Sequence, residues 1–255
     1  MLRKRIIGVI TVKDDWAVQS FSYNRYLPLG RPEIVAENLS RWKVDEIILQ
    51  CIDRSKLGYE PNWNMINKVV SKISGTPLSY GGGIKNSMNA IKAIELGVER
   101  VLADSLIIEN PHELENIANE IGAQSLIASM PVANSNGLKR YNYLTGKLNK
   151  IEQRFIDIIN SNFISEILLN DYINDGGLKS SFDLNILKSV SIFKKPIITF
   201  GGINNIELIV NILKYDNVSA VAIGNMLNYR EISVNYIKNR IVEDGGSKFE
   251  TIIRH

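Results

Sequence analysis

Gly82-Gly83-Ile84-Lys85-Asn86 and Gly201-Gly202-Ile203-Asn204-Asn205 are the residues of this chain whose types and spacing bear most directly on chemistry. Each set ends a short apolar strand, and the two lie about 120 residues apart. Glycines at a strand end that leads into a helix let backbone N–H groups close on an anion, because no Cβ blocks the approach. A second echo sets Leu102-Ala103-Asp104-Ser105-Leu106 against Ala222-Ile223-Gly224-Asn225-Met226, and a third sets Ile47-Ile48-Leu49 against Ile167-Leu168-Leu169. The chemistry implied is phosphate binding at two corners. Gly81, Gly82, Gly83, Asp104 and Ser105 would form the first, and Gly201, Gly202, Gly224 and Asn225 the second. A ligand spanning both is long, with a phosphate at each end. Either glycine pair alone serves equally well as a turn; matched positions in a repeat argue for more. Asp104 is discordant, since its carboxylate repels a phosphate unless it turns away or accepts from a sugar hydroxyl.

Other kinds of chemistry are poorly supplied. His112 and His255 are the only histidines, so histidine catalysis and zinc binding are not expected. Cys51 stands alone, which excludes a disulfide framework and a cysteine-rich metal site. No metal and no cofactor is expected. A net charge of +3, with Lys and Arg spread along the chain, does not mark a nucleic-acid binder. The start, Met1 to Arg5, runs straight into a strand-like stretch, and no long apolar segment follows. The expectation is a cytoplasmic protein with no membrane partner.

The elements that must position the two corners are short β-branched runs alternating with helical patterns, which argues for a parallel sheet with crossover helices. The strands expected are Arg5–Val12, Glu46–Cys51, Leu78–Tyr80, Arg100–Ala103, Ser125–Met130, Glu166–Asn170, Pro196–Phe200 and Ala220–Ile223. Helices are expected over Ile34–Arg41, Ser87–Leu96, Pro111–Ile121 and Ile206–Lys214, among others. Eight strands, a half-chain repeat and 255 residues predict a (β/α)8 barrel, an α/β fold built from two related half-barrels as a single domain over residues 1–255. An open doubly wound sheet does not predict the repeat. Val132–Lys150, rich in Asn, Gly, Lys and Tyr, alternates around Tyr141 and Tyr143 and reads as a hairpin inserted after the fifth strand.

Over nearly its full length the chain resembles the cyclase subunit of imidazole glycerol phosphate synthase. The resemblance is carried by Leu2-Arg3-Lys4-Arg5-Ile6-Ile7, Val12-Lys13-Asp14, Gly81-Gly82-Gly83-Ile84, Glu109-Asn110-Pro111, Asp175-Gly176, Gly201-Gly202 and Arg230-Glu231-Ile232. It implies pairing with a glutaminase subunit as a heterodimer, whose ammonia enters the barrel floor and travels through the core. The family's charged gate falls on Arg5, Glu46, Arg100 and Glu166, with Arg100 in place of the usual lysine. Glu99 matches an acidic position at the glutaminase interface, and Gly176 joins the substrate-binding glycines. The family's chemistry uses two aspartates, and here those positions are Thr11 and Pro131. Cys51 replaces a further aspartate and Gln19 a lysine. Threonine has no useful pKa for proton transfer, and proline has no side-chain proton. Asp14, Asp53, Asp171 and Asp175 remain nearby; Asp14 and Asp175 match retained positions and are the catalytic candidates, each otherwise a loop aspartate capping a turn. Lys13 faces either a substrate phosphate or solvent.

A branch of this family, from surface-polysaccharide biosynthesis, resembles the chain more closely through Glu60-Pro61-Asn62-Trp63 and Tyr80-Gly81-Gly82-Gly83-Ile84-Lys85. There a cyclase-like barrel and a glutaminase-like subunit support a separate amidotransferase that turns an acetamido group on an activated sugar into an acetamidino group. Three readings follow. The chain is an ammonia-delivering subunit for amidino-sugar synthesis, with a phosphorylated or nucleotide-linked small molecule as ligand; or a cyclase–lyase of histidine biosynthesis; or a non-catalytic scaffold that activates the glutaminase. The first is preferred, because the gate is retained while the cyclase aspartates are not.

Overall fold

Runs of Ile, Val and Leu with side chains alternating between two faces give strands that bury both faces, and such strands close best under a coat of helices. In the computed structural model, which describes residues 4–177, 181–229 and 234–245, this produces twelve strands. They are β1 (Arg5–Lys13), β2 (Trp16–Phe21), β3 (Arg25–Gly30), β4 (Glu46–Cys51), β5 (Leu78–Gly81), β6 (Arg100–Ala103), β7 (Leu126–Asn134), β8 (Leu138–Asn142), β9 (Lys147–Lys150), β10 (Glu166–Asp171), β11 (Ile197–Phe200) and β12 (Val218–Ile223). Eight of them, β1, β4, β5, β6, β7, β10, β11 and β12, pair in parallel; β12 pairs with β1 and β7 with β10, so the sheet closes on itself. The (β/α)8 barrel read from the sequence is the observed fold. Leu2, Arg3, Arg230, Glu231, Ile232 and His255 lie outside the described residues.

The helices are α1 (Pro32–Arg41), α2 (Trp63–Lys72), α3 (Ser87–Glu95), α4 (Leu106–Glu109), α5 (Pro111–Ile121), α6 (Gln153–Asn160), α7 (Leu184–Ser189), α8 (Ile206–Leu213), α9 (Met226–Tyr229) and α10 (Val234–Gly245). Strand parity divides the core in two. Ile7, Val9, Ile48, Leu102, Ile127, Leu168, Ile198, Phe200, Ala220 and Ala222 pack inside the barrel. Ile6, Ile10, Ile47, Leu49, Val101, Leu126, Ile167 and Ile197 face the helices, where they meet residues such as Leu39, Ile66, Ala93 and Ile209. The same parity turns Thr11, Gln50, Pro131 and Asn170 inward at the C-terminal ends of their strands, where barrels of this kind carry their sites. Among the described residues, no helix is long and apolar enough to cross a membrane.

The barrel departs from expectation where extra strands extend it. The first strand continues to Lys13 and folds back as β2 and β3, a hairpin the sequence reading did not include. The fifth barrel strand starts at Leu126 and runs to Asn134, because Val132–Asn134 pairs with β8. The hairpin expected within Val132–Lys150 is present as β8 and β9. Helix α1 begins at Pro32, two residues early, since proline at a first helical position forfeits no intrahelical bond.

The repeat has a direct structural meaning. In both halves the glycine pair turns the chain with positive φ, +128° and +78° at Gly82 and Gly83, +90° and +68° at Gly201 and Gly202. The asparagine that follows then caps a helix. Asn86 accepts from the Asn89 N–H at 2.9 Å, and Asn205 from the Leu208 N–H at 2.8 Å. A Cβ on Gly82 would lie 2.4 Å from the Cys51 carbonyl oxygen, and one on Gly201 would lie 2.4 Å from that of Asp171. Neighbouring βα loops therefore cross too closely for any side chain. This requirement holds whether or not an anion binds.

Candidate functional site

At the floor, Arg5, Glu46, Arg100 and Glu166 come together from β1, β4, β6 and β10 as a closed ring of alternating charge. Arg5 donates to Glu46 at 3.0 Å and to both Glu166 oxygens at 2.6 and 2.8 Å. Arg100 reaches Glu166 at 2.6 Å and Glu46 at 3.5 Å. Serine hydroxyls complete it: Ser79 donates to Glu46, Ser219 to Glu166, and Ser165 accepts from Arg100 at 3.2 Å. The serines escaped the sequence reading, although each lies on or beside a barrel strand. Burial pushes the Glu166 carboxyl up, but Arg5 and Arg100 outweigh it and hold it below its ordinary value. Burial opposes the Arg5 charge, and Glu166 and Glu46 outweigh that too. A ring so paired can sit at the end of an apolar lumen without an unmatched charge. Glu99, the residue before Arg100, is exposed.

At the opposite end, the first-half corner opens into a cavity of about 180 Å³. Gly81, Gly82, Leu102, Asp104, Ser105, Ser129 and Pro131 line it, with tyrosines from both hairpins. Asp104 neither turns to solvent nor stands alone: its carboxylate pairs with Arg140 of β8, a residue only 4% exposed. Burial raises the Asp104 carboxyl to about 6 even with Arg140 opposing the shift. Ser55 accepts from the Gly83 N–H at 2.9 Å, and Tyr143 lines the cavity together with Ser55 and Ser105. The Glu60-Pro61-Asn62 and Tyr80–Lys85 motifs meet here. Asn62 N–H donates to the Tyr80 hydroxyl at 3.3 Å and its side chain caps α2, while Gly83 packs against Tyr59–Pro61.

The second-half corner is tighter, about 20 Å³, lined by Thr11, Asp175, Gly176, Gly201, Gly202, Gly224 and Asn225 among others. The β2–β3 hairpin covers it. Asp175 accepts from the Ser20 hydroxyl at 2.5 Å and the Tyr23 N–H at 3.2 Å, and Asn225 donates to the Ser20 carbonyl at 2.8 Å. Gly176 lies so close to the hairpin that a Cβ would stand 2.5 Å from the Ser20 carbonyl oxygen. Burial raises the Asp175 carboxyl. Asp14 occupies a tight turn with φ +50°, exposed, with its carboxylate 2.5 Å from Lys13 Nζ and its N–H donating to Asp53. Asp171 accepts from Asn174 and from the Asp183 N–H, as a loop-organising residue does. The two catalytic candidates are thus placed apart in role: Asp175 latches a hairpin over one corner, and Asp14 lines neither cavity.

Thr11 and Pro131 point into the mouth at the ends of β1 and β7, so no acid stands at either position. The Cys51 side chain faces the helices, 3.9 Å from the Met65 sulfur, and burial raises its thiol to about 12. Among the described residues no cluster of His, Cys, Asp and Glu could hold a metal ion.

A closed (β/α)8 barrel with a charge-paired floor and a two-cornered mouth defines the class of protein. Residues 5–233 match the family described as "Histidine biosynthesis protein". A relative from Vibrio vulnificus, provisionally designated imidazole glycerol phosphate synthase subunit hisF2, is 30% identical over 236 residues, 91% of this chain and 86% of its own length. One from Leptospira borgpetersenii, provisionally designated imidazole glycerol phosphate synthase subunit HisF, is 29% identical over 91% of this chain and 92% of its own length. The imidazole glycerol phosphate synthase subunit HisF of Staphylococcus saprophyticus is 26% identical over 96% and 98%. The chain belongs to the histidine biosynthesis protein family, in its HisF group.

Proposed function

We propose that this chain is the ammonia-channelling subunit of a glutamine-dependent amidotransferase system, serving acetamidino-sugar formation in surface-polysaccharide biosynthesis. The observation that carries the reading is a contrast between the two ends of one barrel. The floor keeps a complete ring of paired charges, Arg5, Glu46, Arg100 and Glu166, while the mouth presents Thr11 and Pro131 where a cyclase needs two carboxylates. A HisH-like glutaminase docks at the floor near Glu99 and releases ammonia there. The ring opens to admit it, and the lumen of Ile, Val, Leu and Ala passes it upward as the neutral molecule, since an apolar interior disfavours ammonium. The electrophile, on a phosphorylated or nucleotide-linked sugar, is met at the mouth or on a separate amidotransferase.

The test reconstitutes the chain with its glutaminase and sugar amidotransferase and compares wild type with Glu46→Gln and Arg100→Met. We expect product formed per glutamine hydrolysed to fall roughly tenfold, as for loss of one buried charged hydrogen bond, with ammonium-supported turnover retained. Unchanged coupling would sink the conduit. The same preparation, given ammonium and the histidine-pathway ribonucleotide substrate, should make no imidazole glycerol phosphate; turnover would establish a cyclase instead.

A further inference from the structure

Thr11 and Pro131 leave the mouth without a pair of acids, yet one carboxylate does line the cavity at the first-half corner. Among the residues that line it, Asp104 is the only acid. The rest of the wall is largely aromatic: Tyr23 and Tyr26 from the first hairpin, Tyr141 and Tyr143 from the second, and Tyr172 from the loop after β10.

Asp104 follows the last residue of β6 and so stands where the lumen opens. Leu102, two residues earlier, packs inside the barrel and also lines the cavity. Lumen and cavity therefore adjoin at this strand, and a small molecule leaving the lumen past Leu102 enters the space that Asp104 lines.

The carboxylate is held without being used up. Arg140 of β8 binds Oδ1, and Oδ2 accepts no hydrogen bond among the described residues. The Asp104 side chain keeps 18% exposure against 5% for that of Arg140, so the acid is the member of the pair that a ligand reaches.

The charged and titratable groups around Asp104 are Arg140 and Tyr143 of the second hairpin, Tyr23 of the first, Glu109 of α4 and Lys56 of the loop after β4. Burial raises the carboxyl to about 6; Arg140 opposes the shift and Glu109 adds to it. A carboxyl in that range can both accept and return a proton near neutral pH.

We propose that Asp104 is the catalytic proton carrier for attack of ammonia on an activated carbon held in this mouth. Ammonia's lone pair forms the C–N bond, and the bond from that carbon to a leaving oxygen breaks with its electrons on oxygen. The new nitrogen then carries one proton too many. That proton passes to Asp104 Oδ2 and from there to the departing oxygen, which leaves Asp104 ionised again. The carbon is of the acyl or imidate class and arrives already bearing its leaving group. Arg140 is a positioning residue: it fixes Oδ1 and leaves Oδ2 for the proton. This deepens the proposed function and rests on it for the supply of ammonia.

The test uses the reconstituted chain, glutaminase and sugar amidotransferase, supplied with either ammonium or glutamine. Asp104→Asn keeps the shape of the side chain and still accepts from Arg140, but it carries no titrating proton. We expect it to lower ammonium-supported kcat about a hundredfold with the acceptor KM nearly unchanged, and Asp104→Glu to regain part of the loss. The ratio of wild-type to Asp104→Asn turnover cancels the ammonia–ammonium equilibrium. Since the base works ionised, that ratio should be full above pH 6 and fall as pH drops through about 6. A ratio near one at every pH overturns the inference. So does a loss that is equal at every pH, which would mark Asp104 as structural. Failure of the conduit shows instead as product per glutamine indifferent to the ring variants, whereas failure of Asp104 shows with ammonium alone. No product from wild type with either nitrogen source would overturn both.

Discussion

Asp104 and Glu166 are two partly buried carboxylates whose pH responses run in opposite directions. Burial raises Asp104 to about 6, above an unfolded value of about 3.9. The folded state therefore binds its proton more readily, and folding gains from this group as pH falls through 6. Glu166 is held low by Arg5 and Arg100, so its contribution is present above the unfolded carboxylate range and is lost as pH falls through its depressed value. Asp104→Asn removes the first effect alone. We expect wild type to gain about 2 kcal/mol more stability than Asp104→Asn on going from pH 7.5 to pH 4.5, read by urea unfolding at both pH values. An equal pH slope in the two proteins would mean that Asp104 is not held in a desolvated site. The sequence marked Asp104 as discordant but could not supply its answer. Arg140 lies 36 residues away, and only the strand pairing of β7 with β8 brings the two together.

At the scale of elements, the half-chain repeat encodes a turn and a cap. Asn205→Ala removes the side-chain bond to the Leu208 N–H and should cost about 1 kcal/mol, the usual loss for an N-cap. Gly82→Ala should cost more, because the new Cβ meets the Cys51 carbonyl oxygen and φ is +128°. Urea unfolding of both variants checks the order, and a harmless Gly82→Ala would show that the loops do not cross as tightly as described. The eight barrel strands were legible because each is a short apolar run bounded by turn residues. The β2–β3 hairpin was not, since Tyr26-Leu27-Pro28-Leu29 is largely exposed and lacks a clean alternation. Its place over the second corner depends on Asp175 and Asn225, residues distant in sequence.

For the whole molecule, closure is secured near the floor by Lys238 of α10, which reaches Asp45 at 2.5 Å and the Lys43 carbonyl at 2.9 Å. Asp45 also accepts the Ile6 N–H at 2.7 Å, tying the helix to the first strand. Lys238→Met leaves the Asp45 charge buried without its ammonium and should cost about 3–5 kcal/mol. The double variant with Asp45→Asn should recover part of that loss, because the unmatched charge is gone. Thermal or urea unfolding decides it, and a cost below about 1 kcal/mol would place the pair among surface ion pairs.

By itself the sequence determined the barrel, its two related halves, the four charged residues at strand starts and the lack of acids at Thr11 and Pro131. All of these are local, set by strand parity, by turn chemistry and by which residue stands at a strand end. Tertiary structure alone decided what those residues meet. It joined four charges from four strands into one ring, gave Asp104 a guanidinium, turned Asp175 and Asn225 into latches for a hairpin, and gathered five tyrosines from distant segments over one corner. Contacts of that kind depend on chain closure over long separations, which no local pattern records.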